Sequence, residues 1–267
     1  MKLVAVVLLS MSLPASVHAA DSGIDAARQR GTLVAGVSYP LPAYVGGAKF
    51  RTPESPESIL VEDLGKRLGL KLGTPKTDSS NAAQWIKSGR ADVVLALVDD
   101  NDALRREANV AVIPTGYSAG AMAIMRSDTD IKSWEQLKGR TVCLSEGGAY
   151  VGKIAAKYGA IEKVQRAPAD SLLSLRIGAC DAAVHDDTML NDLLKLPEWK
   201  KFSARLPVQS RRTLIFAVRA DDEKSISYLK RASADWAAGN FWSELKKKWV
   251  NNVAFEVYLD QNVPDCH

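Results

Sequence analysis

Histidine and cysteine are scarce: the 267 residues hold three of each. The histidines (His18, His185 and His267) form no H-E-x-x-H pair, and the cysteines (Cys143, Cys180 and Cys266) form no C-x-x-C. The ligand spacings of a zinc site are therefore missing, and neither a metal nor a cofactor is expected. A G-x-x-x-x-G-K-[ST] phosphate loop is also absent. Basic residues are scattered, with Lys246-Lys247-Lys248 as the longest run and no aromatic-interleaved stripe, so nothing marks a nucleic-acid surface. Beyond the first twenty residues no apolar stretch approaches the roughly 20 residues needed to span a bilayer. What remains is 46% apolar and 25% charged, the proportions of a globular protein.

The first positive signal is N-terminal. Lys2 precedes an almost unbroken apolar run of ~11 residues, too short to anchor in a membrane. Pro14 ends the run, and Val17-His18-Ala19 places small residues at −3 and −1 of a cleavage point. These are the parts of a secretory signal peptide, residues 1–19, and they predict a periplasmic protein. Its removal leaves 248 of the 267 residues and lowers the formal charge from +4 to +3, because Lys2 goes with it. Domains commonly run ~100–150 residues, so one large or two modest domains fit. Export places the cysteines where disulfides form, and an odd count leaves one thiol over.

Apolar runs then alternate with helical patterns. Residues 32–37 (TLVAGV) and 92–98 (DVVLALV) read as buried strands, with 121–125, 141–144, 182–184 and 214–218 as further strands. Leu60, Leu64 and Leu68 recur every fourth residue, predicting a helix with Ser58 as N-cap and Gly69 as stop. Further helices are expected at 150–158, 171–177, 189–194, 225–237 and 240–250. Residues 39–47 (YPLPAYVGG) must be a loop. The alternation predicts an α/β fold with parallel-dominated sheets flanked by helices.

Five segments in a fixed order carry a resemblance: 28–33 (RQRGTL) with 63–69 (DLGKRLG), 85–94 (WIKSGRADVV), 134–142 (WEQLKGRTV), 175–186 (LRIGACDAAVHD) and 216–222 (FAVRADD). Together they resemble the periplasmic polar amino acid-binding proteins of ABC importers, the bacterial extracellular solute-binding proteins of family 3. The resemblance implies a two-lobed, type II-like periplasmic binding protein fold. Lobe 1 would be residues 20–115 plus 214–267, and lobe 2 residues 116–213. Two crossover strands, near 115–120 and 210–214, would serve as the hinge.

An amino acid presents two charges whose desolvation must be compensated. By resemblance, Asp186 receives the ammonium, with N-cap of the next helix as its other possible role. Arg105 receives the carboxylate through a two-pronged guanidinium contact. The turn containing Gly148 and Ala149 offers backbone N–H groups at a helix start, and Tyr39 and Tyr44 supply a ring against the solute. Asp99 departs from the family pattern, which has a hydroxyl there, and Ala149 also stands where a hydroxyl is usual. The ligand therefore stays open among amino acids, amines and other small polar solutes. By resemblance again, Cys143 and Cys180 form a disulfide, with Cys266 left over.

The expected activity is capture and delivery of a small polar solute to the membrane subunits of an ABC importer, by a monomer without catalysis. Two alternatives stand beside it: an enzyme on the same fold, like the cyclohexadienyl dehydratases, and a periplasmic accessory or sensor protein. Glu146 and His185 are the available general acids or bases. Strand alternation turns His185 away from the side that Asp186 faces.

Overall fold

The computed structural model describes residues 23–40, 49, 51–53, 55–209 and 211–261. The signal peptide, Tyr44 and Cys266 lie outside the described residues.

Two five-stranded sheets organise the chain. The first contains β1 (Thr32–Gly36), β2 (Lys71–Gly73), β3 (Val93–Val98), β4 (Val110–Ala119) and β10 (Arg212–Arg219), in the order β2-β1-β3-β10-β4. The second contains β5 (Ala121–Met125), β6 (Thr141–Ser145), β7 (Ile161–Gln165), β8 (Ala182–Asp186) and β9 (Ala204–Arg205), in the order β7-β6-β8-β5-β9. Pairings β1–β2, β1–β3, β6–β7 and β6–β8 are parallel; β10 on β3 and β4, and β5 on β8 and β9, are antiparallel. Parallel pairing thus holds in half of each sheet, and both sheets are mixed. The strands next to the crossovers supply the antiparallel half. Their apolar runs predict burial but carry no information about direction.

Eight helices flank these sheets among the described residues: α1 (Ile24–Arg30), α2 (Glu57–Leu68), α3 (Ser79–Lys87), α4 (Lys153–Tyr158), α5 (Pro168–Arg176), α6 (Asp187–Leu193), α7 (Glu223–Ala238) and α8 (Phe241–Asp260). Helix α2 turns Leu60 and Leu64 into the core, as the four-residue spacing requires, and stops at Gly69 in the left-handed conformation. Ser58 is not its N-cap. Pro56 holds that position, and Ser58 lies inside the first turn with its hydroxyl buried and without a hydrogen-bond partner among the described residues. Proline is well suited to a helix start, where an N–H would go unused.

Helix α8 runs ten residues past its predicted end at 250. It starts beside α7 and packs along α5 and α6, which border the second sheet. Trp249 Nε1–H donates to the Pro53 carbonyl (2.9 Å), and Glu256 accepts from the Thr52 N–H and hydroxyl. These long-range partners hold the last turns, which sequence periodicity alone does not specify.

Only Gly120 separates β4 from β5, so the chain passes between sheets there and returns between β9 and β10. The two passages lie side by side. Gln209 N–H donates to the Ala121 carbonyl (2.9 Å), and a Cβ on Gly120 would meet the Gln209 carbonyl at 2.5 Å. Glycine is needed because the return strand leaves no room for a side chain.

Cys143 on β6 and Cys180, two residues before β8, are joined in a disulfide with Cα atoms 5.8 Å apart. The link closes 37 residues of chain, and constraining the unfolded state by that loop is worth about 4 kcal/mol. Reduction should therefore lower the melting temperature. Equal melting with and without reductant, once alkylation shows both thiols free, would remove this stabilisation.

Candidate functional site

In each sheet the parallel strands end at one edge, and these edges face each other. From the first sheet come Tyr39, beyond β1, and Asp99 and Arg105, beyond β3. From the second come the turn at 146–149, beyond β6, and Asp186, the last residue of β8. Crevices at the carboxyl ends of strands are where open α/β sheets receive ligands.

Tyr39 is brought against the second half. A Cβ on Gly147, whose φ is +76°, would lie 2.5 Å from Tyr39 Cβ, so the ring packs directly on the glycine. Burial raises the Tyr39 phenol pKa above its ordinary value, the Glu146 charge adds to this, and Arg166 opposes it. The Tyr39 backbone is held by Glu57 at the start of α2. That buried carboxylate accepts from the Ser38 N–H (2.7 Å) and hydroxyl (2.9 Å). Burial pushes the Glu57 pKa up, and the Ser38 hydrogen bonds act against the shift.

Asp99 and Arg105 share one turn. Arg105 Nε–H donates to the Asp99 carbonyl (2.9 Å), while Asp99 Oδ1 accepts from the Asn101 N–H (3.0 Å) and Asp102 Oδ1 from the Leu104 N–H (2.9 Å). Residues 99–106 are therefore a tight turn, closed by its own aspartates, that leads into a single 3-10 turn at Ala103–Arg106, and Arg105 pairs with no carboxylate there.

The turn beyond β6 differs from expectation. Helix α4 begins only at Lys153, and Gly148 N–H donates to the Ser145 carbonyl (3.0 Å), closing the turn on itself instead of facing the cleft. The glycines that suggested a helix start are used for turn geometry. Ala149 contributes its carbonyl, which accepts from Arg212 Nη1–H (3.1 Å).

Asp186 occupies the N-cap position of α6, yet its side chain makes no capping bond. Its carboxylate is 2% exposed and accepts from Tyr150 at Oδ1 and Tyr117 at Oδ2, both at 2.6 Å. Tyr117 lies on β4 and also contacts the Thr188 hydroxyl (2.8 Å). Burial first, and the Asp186 charge second, drive the Tyr117 pKa well above its ordinary value. Asp187 next to it accepts from the Gly120 N–H (2.9 Å) and from Arg211, and is also buried. His185 points the other way, as strand alternation requires, and meets the Ser171 hydroxyl of α5 (2.9 Å).

Four residues of this region were not singled out from the sequence: Tyr117, Tyr150, Lys153 and Arg212. Lys153 is the first residue of α4, and its amine pKa is lowered by burial and then by Arg212, against the pull of Asp99 and Asp102. Arg212 belongs to the return strand, where its register partner is Ala119 and the next pair is Thr213 with Val98. That places it beside the ends of β3 and β4. Residues 116–120 (GYSAG) also match the spacing of a serine-hydrolase elbow, G-x-S-x-G. They form the end of β4 and the crossover, whereas an elbow requires a sharp strand-to-helix turn.

Known proteins with this arrangement can now be compared. The L-cystine-binding protein TcyA of Bacillus subtilis is 24% identical over 191 residues, covering 71% of this chain and 70% of the relative. The arginine-binding extracellular protein ArtP of the same species is 22% identical over 202 residues, covering 71% and 75%. Among solved structures, a mutant of ArgBP from T. maritima superposes with a TM-score of 0.58 at 21% identity, over 85% of this chain and 99% of that one. The ancestral amino acid-binding protein AncCDT-1, a precursor of cyclohexadienyl dehydratase, gives 0.56 at 20% identity over 85% and 99%. These superpositions establish the two-lobed periplasmic binding protein fold. The family model of bacterial extracellular solute-binding proteins, family 3, matches residues 55–252, and the chain belongs to that family.

Proposed function

We propose that the protein captures a small polar solute between its two halves and delivers it to the membrane subunits of an ABC importer, with no chemistry of its own. The observation that carries this reading is the facing of the two carboxyl-end edges, with Tyr39 packed on Gly147 and Arg212 bonded to the Ala149 carbonyl. Groups from both sheets and from a crossover strand meet at one place. A solute bound there touches both halves, so binding and closure are coupled.

In this reading lobe 1 is 20–115 plus 214–267 and lobe 2 is 116–213, with α8 reaching across to α5 and α6. Tyr39, Asp99, Arg105 and the turn containing Gly148 and Ala149 line the cleft, and Tyr44 lies outside the described residues. Asp186 ties strand β4 to the turn beyond β6 through its two tyrosines. The protein works as a monomer in the periplasm after cleavage behind Ala19. The enzyme alternative needs a general acid or base in the cleft. His185 is directed at Ser171, outside it, which leaves Glu146, in the turn beyond β6, as the remaining candidate.

A thermal-shift screen of amino acids, amines and small carboxylates on the mature protein should find a stabilising solute. Saturation at a hundred times the Kd adds about 2.7 kcal/mol. Consumption of that solute, followed by chromatography, would instead establish an enzyme. Tyr117→Phe removes one hydrogen bond to a buried carboxylate and should cost about 1.5–3 kcal/mol in urea unfolding. An unchanged midpoint would remove Tyr117 from the fastening of the hinge.

A further inference from the structure

The anions and cations of the cleft are treated unequally. Four of the carboxylates there have hydrogen-bond donors from the protein itself, and a fifth, Glu146, has its charge beside Tyr39. Asp186 has two tyrosine hydroxyls, Asp187 has the Gly120 N–H and Arg211, and Asp99 and Asp102 each close a turn. The cations do not have acceptors of matching charge. The Arg105 and Arg212 guanidiniums each spend one N–H on a backbone carbonyl, and the Lys153 ammonium makes no hydrogen bond or ion pair with any described residue.

Nor are these cations far apart. Lys153 lies within electrostatic reach of Arg212 and of Asp99, and Arg105 is bonded to the Asp99 carbonyl. Two guanidinium groups and an ammonium thus border one space from three elements: the turn beyond β3, the start of α4, and the return crossover. Burial first, and repulsion from Arg212 second, depress the lysine pKa. Asp99 and Asp102 offset part of this field without contacting the lysine. Meanwhile the buried Asp186 carboxylate, expected to take a solute ammonium, is sealed by Tyr117 and Tyr150.

We infer that the solute carries two anionic groups, a small dicarboxylate with or without an amine, received by Lys153, Arg212 and Arg105. The inference rests on the proposed reading of this cleft as the solute site. It makes Lys153 and Arg212 determinants of specificity, since a second carboxylate held between them compensates charges that a neutral or cationic solute leaves uncompensated. A cationic side chain would instead add to the repulsion beside Lys153.

Titration calorimetry of the mature protein with succinate, L-glutamate and L-arginine tests this. At least one of the two dicarboxylates should bind ten-fold or more tighter than L-arginine. Lys153→Gln and Arg212→Gln should each weaken that binding at least ten-fold, and Lys153→Arg should restore part of it. Thermal melts of the variants establish that they fold. Tighter binding of L-arginine, or of a neutral amino acid from the wider screen, would overturn the inference while leaving solute capture intact. Dicarboxylate binding unaffected in the folded variants would overturn the assignment to these residues. Failure of every solute in the screen would sink the proposed function together with the inference.

Discussion

Two adjacent aspartates at the end of β8 fasten the second sheet to the crossover that enters it from β4. Asp186 accepts hydroxyls from Tyr117 on β4 and Tyr150 beyond β6, and Asp187 accepts the Gly120 N–H in the crossover itself. Burying a carboxylate without partners costs several kcal/mol, so both positions demand their donors. The demand fixes where β4 leaves the first sheet and where the turn beyond β6 returns toward it. The crossovers themselves are thin, touching at Gly120 and Gln209, where no side chain fits. The aspartates add directed hydrogen bonds to a connection whose apolar part runs through Tyr117, Ala119 and Met122 and along α8.

That fastening decides the character of the cleft. Because the carboxyl ends of both parallel strand sets are directed at one another, loops from each sheet contribute to one space. Tyr39 rests on Gly147 because glycine leaves the room, and Glu57 holds the preceding Ser38 in place. Sealing Asp186 inside the hinge takes a negative charge away from the solute side. Lys153, Arg105 and Arg212 then form no ion pair with any carboxylate among the described residues.

Much of the fold was legible because burial leaves a periodic trace. Leu60 and Leu64 announced α2, the unbroken run at 93–98 announced β3, and the spacing of Cys143 and Cys180 in the family pattern anticipated the disulfide. Other elements left weaker traces. The end of α8 depends on Thr52 and on contact with α5 and α6, partners distant in sequence. Strand direction was hidden for the same reason, since an apolar run packs equally well either way. In the site, the side of β8 that His185 faces followed from strand alternation. The sealing of Asp186 did not, because its donors Tyr117 and Tyr150 are 69 and 36 residues away.

By itself, the amino-acid sequence determined the class of structure and the family: alternating apolar and helical segments in a recognisable order dictate two α/β halves. It also determined the glycines at the turns, since backbone conformation is a local property. Only the tertiary structure decided which charges are spent and which are free. Asp186 and Lys153 look equally available in the sequence, and the fold gives one of them two buried hydroxyls and the other none. Pairing of charges is a matter of distance in space, and no spacing along the chain encodes it.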